Sequence, residues 1–291
     1  MPYFFSNDLQ MFFQTRGEGV PILFIHGLGS NHKIWMNQIN SLSQDLYILA
    51  ADSRYHGLST VNGEVFKGYT IEYLARDWIG LLRSKADRKA YLVGLSMGSA
   101  VAMQITLECP ELVSGLILIE PWASCDDEHR SRLESWIDMM ERDQDLNRFN
   151  ETLIRHYFSK SFIENFPERV RTYANIRSEQ GLSVDIQDCH ACLAFDIRKR
   201  LNEIEVPTAL IYGEFDVLIP PYHSRLLKRE MPRAFEVRFK DCGHMPLIEC
   251  PEEFNHLIRK CVESFERGAV PQSLQYQELL LCDLGSPGQT G

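Results

Sequence analysis

The stretch from Ala90 to Ala102, AYLVGLSMGSAVA, limits the fold of this chain more than any other. An apolar run, Ala90 to Leu95, passes through Gly94-Leu95-Ser96-Met97-Gly98 into a series of small residues. This pattern predicts a buried strand, a very tight turn and a helix. Gly94 and Gly98 let neighbouring backbone approach, while Ser99 and Ala100 keep the helix close to the sheet. A serine on such a turn projects its hydroxyl above the sheet edge, which is the pattern of a nucleophile elbow. By itself the pentapeptide says little, since average glycine and serine usage would produce it in roughly one chain in ten of this length. The strand before it and the helix after it add weight, and the chemistry then requires an acid and a histidine further along.

Similar apolar runs recur at Val20 to His26, Leu46 to Asp52, Ser114 to Glu120 and Val206 to Gly213. Near-continuous apolar runs mark strands covered on both faces of a mostly parallel sheet. Leu9 to Arg16 is apolar and aromatic and ends at the turn signal Gly17-Glu18-Gly19, whereas Ala234 to Lys240 alternates as an edge-side strand does. Helices are expected from about Lys33 to Ser43, after an N-cap at Thr70, from the elbow to about Glu108, and from Pro251 to Phe265. Ile71, Leu74, Trp78, Leu81 and Leu82 repeat at helical spacing, which puts Trp78 in the core. Between Trp122 and about Arg200 the strand runs vanish and helical spacing dominates. A helical insertion between two strands of an α/β sheet reads as a lid over the carboxyl edge, where such folds keep their ligands. The expected division is a core of residues 1–121 and 201–267, a helical cap of residues 122–200, and a partly disordered tail of residues 268–291.

At 291 residues the chain suits one large domain carrying such an insertion. Its net charge of −10, with no run of basic residues, argues against nucleic acid or an anionic membrane as partner. No segment approaches ~20 apolar residues, and the start lacks a basic region followed by an apolar stretch, so the expected location is cytoplasmic. The eight cysteines are then expected to be reduced. Cys189-His190-Ala191-Cys192 is a lone C-x-x-C without a second ligand pair, read as packing cysteines on a helix, and no metal or other cofactor is expected.

Asp216 falls just past a strand, before Pro220-Pro221, and His244 lies in the loop Asp241-Cys242-Gly243-His244-Met245-Pro246 after the last strand. Ser96, Asp216 and His244 thus occur in the order nucleophile, acid, histidine. A serine hydroxyl is too weakly acidic to attack unaided, while a histidine of pKa about 6.5 accepts its proton at neutral pH. A buried carboxylate fixes the imidazole tautomer. The loop His26-Gly27-Leu28-Gly29 is expected to aim the Leu28 amide at an oxyanion, with the Met97 amide as second donor and His26 holding the loop in shape. Asp52 and Arg54 read as a structural pair; Glu120 also follows a strand and is the alternative to Asp216 as the acid, but Pro121-Trp122 after it favours a hinge or pocket-lining residue. Of the aromatics Trp122, Trp136, Tyr157, Phe158, Phe162 and Tyr173, most are assigned to the lid core, with one or two facing substrate. Arg130, Arg155, Arg171 and Arg177 are candidates for a substrate carboxylate, though solvated lid surface is the plainer reading of each.

HGLG at His26, the D-x-R-x-x-G-x-S loop from Asp52 to Ser59, GLSMG, the Asp216 loop and DCGHMP together resemble the α/β-hydrolase fold superfamily over about Val20 to Phe265. The resemblance implies an α/β architecture with a mostly parallel sheet flanked by helices and an inserted helical cap. It also implies Ser96 as nucleophile, His244 as general base and acid, Asp216 as its orienting acid and Leu28 and Met97 as oxyanion-hole amides, with no cofactor. GLSMG and the length of the insertion are similar to carboxylesterases and enol-lactonases acting on small substrates. Ser99 stands where such chains often have a second glycine, and Ser96 counts against halide-cleaving relatives, which use aspartate. The expected activity is hydrolysis of a small carboxylic ester or lactone through an acyl-enzyme. A C–C bond hydrolase or acyltransferase on the same triad, and a non-catalytic ligand receptor on the same fold, are the alternatives.

Overall fold

Each of these apolar runs becomes a strand of one sheet in the computed structural model, which describes residues 2–62, 68–177, 181–268 and 278–279. The strands are β1 (Tyr3–Ser6), β2 (Leu9–Arg16), β3 (Val20–Ile25), β4 (Leu46–Ala51), β5 (Thr60–Val61), β6 (Ala90–Leu95), β7 (Val113–Ile119), β8 (Thr208–Gly213), β9 (Ala234–Phe239) and β10 (Glu278–Leu279). They lie side by side in the order β1-β2-β4-β3-β6-β7-β8-β9-β10, with β5 also on β2. Pairing is parallel from β4 to β10, and β2 runs antiparallel to its neighbours. All six residues of β6 are buried, as double-sided burial demands, while β9 alternates buried and half-buried positions. β1 and β5 carry no such run. The turn into β2 passes through Asn7 at φ 48°, and Asn7-Asp8 is the local signal for that hairpin.

The first predicted helix begins as a 3₁₀ turn, His32–Trp35, capped by Asn31, and continues as α1 (Met36–Leu42). α2 (Ile71–Lys85) is capped by the Thr70 side chain, which accepts from the Tyr73 amide, and it buries Trp78 completely. α3 (Met97–Glu108) follows β6 directly. Five α-helices and a 3₁₀ turn (Arg198–Glu203) then stand between β7 and β8: α4 (Asp127–Asp143), α5 (Leu146–Tyr157), α6 (Lys160–Asn165), α7 (Pro167–Arg177) and α8 (Leu182–Ala194). Asp126, Asp145 and Ser159 cap α4, α5 and α6 through their side-chain oxygens. α9 (Tyr222–Glu230), α10 (Pro246–Glu249) and α11 (Pro251–Glu266) complete the chain's helices among the described residues.

One expected pairing is replaced. Arg54 forks onto Asp77 of α2, at 2.7 and 3.1 Å, rather than onto Asp52. Asp52 instead accepts from the amides of His32 and Leu58 and from the His32 ring, each at 2.7–2.8 Å. It therefore closes its own loop with nearby amides, while the longer Arg54 side chain reaches the buried Asp77 on α2. Seven cysteines among the described residues are free, and Cys189 and Cys192 are buried on α8. No helix among the described residues is long and apolar enough to cross a membrane. Of the tail assigned as partly disordered, residues 269–277 and 280–291 lie outside the described residues, and Glu278–Leu279 pairs parallel with β9.

The β6–α3 junction rests on two glycines. A Cβ on Gly94 would lie 2.3 Å from the carbonyl oxygen of Gly98, and a Cβ on Gly98 would lie 2.3 Å from that of Ile25. Gly98→Ala therefore opposes two effects: alanine gains about 1 kcal/mol of helix propensity, while overpacking against rigid backbone costs about 1–3 kcal/mol. The expected outcome is a lower urea midpoint with an unchanged slope. A raised midpoint would show that the contact relaxes freely.

Candidate active site

Ser96 occupies the one-residue turn between β6 and α3 with φ 52° and ψ −116°, a conformation L residues seldom adopt. Its surroundings hold it there. The Ser96 amide donates to the carbonyl of Ile119 on β7 at 2.8 Å, and the Ser99 hydroxyl bonds to the carbonyls of Gly94 and Ile119 at 2.6 and 2.9 Å. Ser99 thus ties the helix to two strands, where glycine would only make room. Strain that the surrounding structure over-determines is typical of functional positions.

The loop after β3 passes close beside this turn. A Cβ on Gly27 would lie 3.0 Å from the Leu95 carbonyl oxygen and 3.6 Å from Ser96 Cβ. Leu28, the next residue, lines the same cavity as Ser96. Met97 opens α3, whose first amides have no partner within the helix. His26 braces the loop, its Nε2 accepting from the Ser53 amide at 3.0 Å, and burial pushes its pKa down to about 4, so the ring is neutral.

Asp216 and His244 meet at 2.7 Å, Oδ2 to Nδ1. The other Asp216 oxygen accepts from the amides of Leu218 and Ile219 at 2.7 and 3.2 Å. Burial alone would raise the Asp216 pKa, but His244 and these hydrogen bonds outweigh it and hold the carboxyl below its usual range. Tyr157, from α5, stacks on the His244 ring at 5.2 Å, and its carbonyl accepts from the His244 amide at 2.8 Å. Among the described residues Ser96 makes no hydrogen bond to His244, so the structure joins two of the three predicted residues directly. The third stands in the cavity that Tyr157 also lines.

Glu120, read from sequence as hinge or pocket lining, sits behind the pair. It takes φ 49° at the end of β7, and its Oε1 accepts from the Gly213 amide of β8 at 2.6 Å. Burial, and then the neighbouring Asp216 charge, push its carboxyl well above the usual range. Its Oε2 is buried and meets no donor, and a protonated carboxyl there finds its acceptor in Asp216. Oxygen and nitrogen atoms of Glu120, Asp216 and His244 lie within 4.8 Å of one another, the spacing of a metal site. Binding a cation there would require Glu120 to ionise beside Asp216, against its burial.

The cavity at Ser96 is about 20 Å³, room for about one water. Its walls include Trp122, Trp136, Leu133 and Tyr157 from the insertion or its entry, so three of the six aromatics flagged in the sequence face it. His129 and Arg132 of α4, which the sequence did not single out, also line it. Burial pushes the His129 imidazole down to about 3, leaving it neutral. Arg132 donates to the carbonyls of Val217 and Leu218 and to Glu128, closing the gap between α4 and the Asp216 loop. Of the four arginines read as solvated lid surface, Arg130, Arg155 and Arg171 are exposed as expected, whereas Arg177 is buried in an ion pair with Asp185 at 3.0 Å.

Glu249, also missed, holds the His244 loop from below. It accepts from the Gly243 amide at 3.0 Å and from the Ser159 amide and hydroxyl, the last at 2.6 Å. The C-terminal end of α10, one turn beyond DCGHMP, offers no sequence pattern that marks it.

Residues 20–251 match the family described as the alpha/beta hydrolase fold. The chain is 27% identical over 266 residues to a protein of Azorhizobium caulinodans named for carbamate hydrolysis, covering 89% of this chain and 97% of that one. It is 23% identical over 262 residues to the 3-oxoadipate enol-lactonase 2 of Acinetobacter baylyi, covering 89% and 96%. A thermophilic esterase from Thermogutta terrifontis, solved with malate bound, superposes with a TM-score of 0.79 at 25% identity, covering 88% of this chain and 94% of the esterase.

Burial pushes the Glu249 carboxyl from an ordinary 4.5 up to about 7, against hydrogen bonds from Ser159 and Gly243 that favour the ionised form. Between those values the folded chain keeps a proton that the unfolded chain has released. The associated stability is full below about pH 4.5 and lost as pH rises through about 7, a total on the order of 3 kcal/mol. Melting temperatures between about pH 5 and 8 should therefore fall more steeply for the wild type than for Glu249→Gln. Parallel curves would mean that Glu249 binds no such proton.

Proposed function

The chain belongs to the alpha/beta hydrolase family, and from that premise we propose that it hydrolyses a small carboxylic ester or lactone through an acyl-enzyme on Ser96, His244 and Asp216. The observation that carries this reading is the 2.7 Å contact from Asp216 to His244 Nδ1, made beside a cavity that exposes a serine on a strained turn. With Nδ1–H donated to Asp216, the lone pair of His244 lies on Nε2, the nitrogen that must take the serine proton.

In this mechanism Ser96 Oγ attacks the substrate carbonyl as its proton passes to His244 Nε2. The oxyanion forms against the amides of Leu28 and Met97, and Asp216 stabilises the imidazolium. His244 then protonates the leaving oxygen, and an acyl group remains on Ser96. Water repeats the sequence in reverse and frees the acid. The open contact between Ser96 and His244 is one that substrate binding commonly closes. Glu120, protonated, donates to the Asp216 carboxylate.

We assign residues 1–121 and 201–267 to the core and residues 122–200 to a cap, since α4 and α5 supply much of the cavity wall. The aromatic lining favours a small acyl group of low polarity, and the relatives named for enol-lactone and carbamate hydrolysis bracket the bond types. Free thiols at seven described cysteines agree with a cytoplasmic location.

On p-nitrophenyl acetate, Ser96→Ala should lose at least about 10³-fold in kcat, because nucleophile and base act as one unit. Turnover at the wild-type rate in that variant would end the proposal. Asp216→Asn should cost on the order of 10⁴ in kcat by spoiling the tautomer, as in the best-studied triad. Glu120→Gln, which keeps a hydrogen-bond donor beside Asp216, should stay within about tenfold of wild type. Reversed magnitudes would move the role of triad acid to Glu120.

A further inference from the structure

The peptide unit joining Leu28 to Gly29 is gripped at both ends by residues of the insertion. Its carbonyl oxygen accepts from Arg177 Nη1 at 2.9 Å, and its N–H donates to Asp188 Oδ2 at 2.8 Å. The negative end of the peptide dipole thus meets a cation and the positive end an anion. Arg177 also reaches the Gly29 carbonyl at 3.0 Å, Asn150 Oδ1 at 3.1 Å and Asp185 at 3.0 Å. Asp188 accepts as well from His56 Nε2 at 3.0 Å and from the Tyr69 hydroxyl at 2.6 Å. Both His56 nitrogens face acceptors, Asp188 and the Arg54 carbonyl, so the ring carries two protons. Burial opposes that charge, and Asp188 overcomes it.

Arg177, Asp185, Asp188 and His56 are all fully buried, and together they balance two positive charges against two negative ones. Buried ion networks of this kind seldom stabilise a fold more than well-packed apolar residues of the same volume would, so stability alone does not account for this one. What it does supply is direction. Gly29 has φ 57°, and a Cβ there would lie 1.9 Å from Asp185 Oδ1 and 2.3 Å from Arg177 Nη1. The glycine lets the network close on the backbone. On the other side, Gly27 is wedged against Leu95 and Ser96. Leu28 is left with little freedom to turn its own amide.

We propose that Arg177 and Asp188 are positioning residues for the oxyanion hole, holding the Leu28–Gly29 peptide so that the Leu28 amide stays aimed at the carbonyl under attack. This rests on the reading of Ser96 and Leu28 given above. The insertion then contributes to the reaction itself as well as enclosing the substrate.

The test uses the full chain with p-nitrophenyl acetate and an aliphatic trifluoromethyl ketone, which forms a reversible tetrahedral adduct with an active-site serine. In Arg177→Met combined with Asp185→Leu, both charges leave together and the volume is kept, so the fold is not left with an orphaned ion. Asp188→Asn keeps the shape and removes the charge. Arg177→Lys keeps the pairing with Asp185 but cannot reach two carbonyls, and it stands in if the double variant does not fold. Each folded variant should lose roughly 10- to 100-fold in kcat, with KM within about threefold and ketone affinity falling in step with kcat/KM. Folded variants with wild-type kcat and ketone affinity would reduce the network to packing. A raised KM at unchanged kcat would make it a substrate-binding device and equally overturn the proposal. Ser96→Ala, run alongside, separates the two levels: if it retains turnover the hydrolase reading fails, and if it alone is inactive only the positioning role fails.

Discussion

The turn from β6 to α3 takes a single residue, and the rest of the site depends on the space in which it does so. Backbone from two strands and the start of α3 crowds together there: Gly98 lies against the carbonyls of Ile25 and His26, and Gly94 against that of Gly98. With no side chains at these two positions, the start of α3 sinks between β3 and β7, and Ser96 is forced into positive φ. A wider turn would relax the serine and at the same time withdraw it from the Leu28 loop. The strained backbone of Ser96 and the tight packing around it therefore have the same cause.

Around that turn the buried charges divide by a simple rule. Asp216, Asp52 and Asp188 each accept from two or more donors, and their pKa values are held below the ordinary range in spite of burial. What sets these three apart is a histidine ring among the partners, His244, His32 and His56 respectively; Glu120 and Glu249 have none, and their pKa values are raised even though Glu249 accepts from Ser159 and Gly243. The site thus contains carboxylates that serve as anions and carboxyls that serve as proton-bearing props. Which group is which follows from whether a histidine stands beside it, since desolvation acts on all of them in the same direction.

The same distinction separates what the chain announced from what it concealed. Strands covered on both faces lose their polar alternation, so β3, β6, β7 and β8 were legible as apolar runs, and the order Ser96, Asp216, His244 at strand ends followed from them. Arg177 was not legible. At helical spacing it reads as one more surface arginine, and its burial depends on Asp185, on Asn150 and on two loop carbonyls about 150 residues away in the chain. Arg54 was misassigned for a related reason: its partner Asp77 lies on a helix, and proximity in sequence favoured Asp52. Glu120 looked like a hinge because Pro121 follows it. Its contact with β8 comes from a register that parallel strands do not reveal by composition.

The insertion itself is not uniform. α7 and α8 carry Arg177, Asp185 and Asp188, which engage the Leu28 loop, so moving them away would break buried charge contacts and loosen the loop together. α4 meets the core differently. Arg132 reaches over to the Val217 and Leu218 carbonyls while its own side chain is partly solvated, and such surface contacts are weak. A cavity of about 20 Å³ must widen before it admits any ester. The wall that carries Trp136, Leu133 and His129 is not independent of the grip on the Leu28 loop, because α4 packs against α8, α5 packs against α7, and Asn150 of α5 accepts from Arg177 at 3.1 Å. Tyr157 adds a further link: it ends α5, yet its ring stacks on His244 and its carbonyl holds the His244 amide, so displacing it would disturb His244 as well. Room at Ser96 and the placement of the Leu28 loop are thus linked through the insertion, since the helices that wall the cavity pack on the helices that hold the loop.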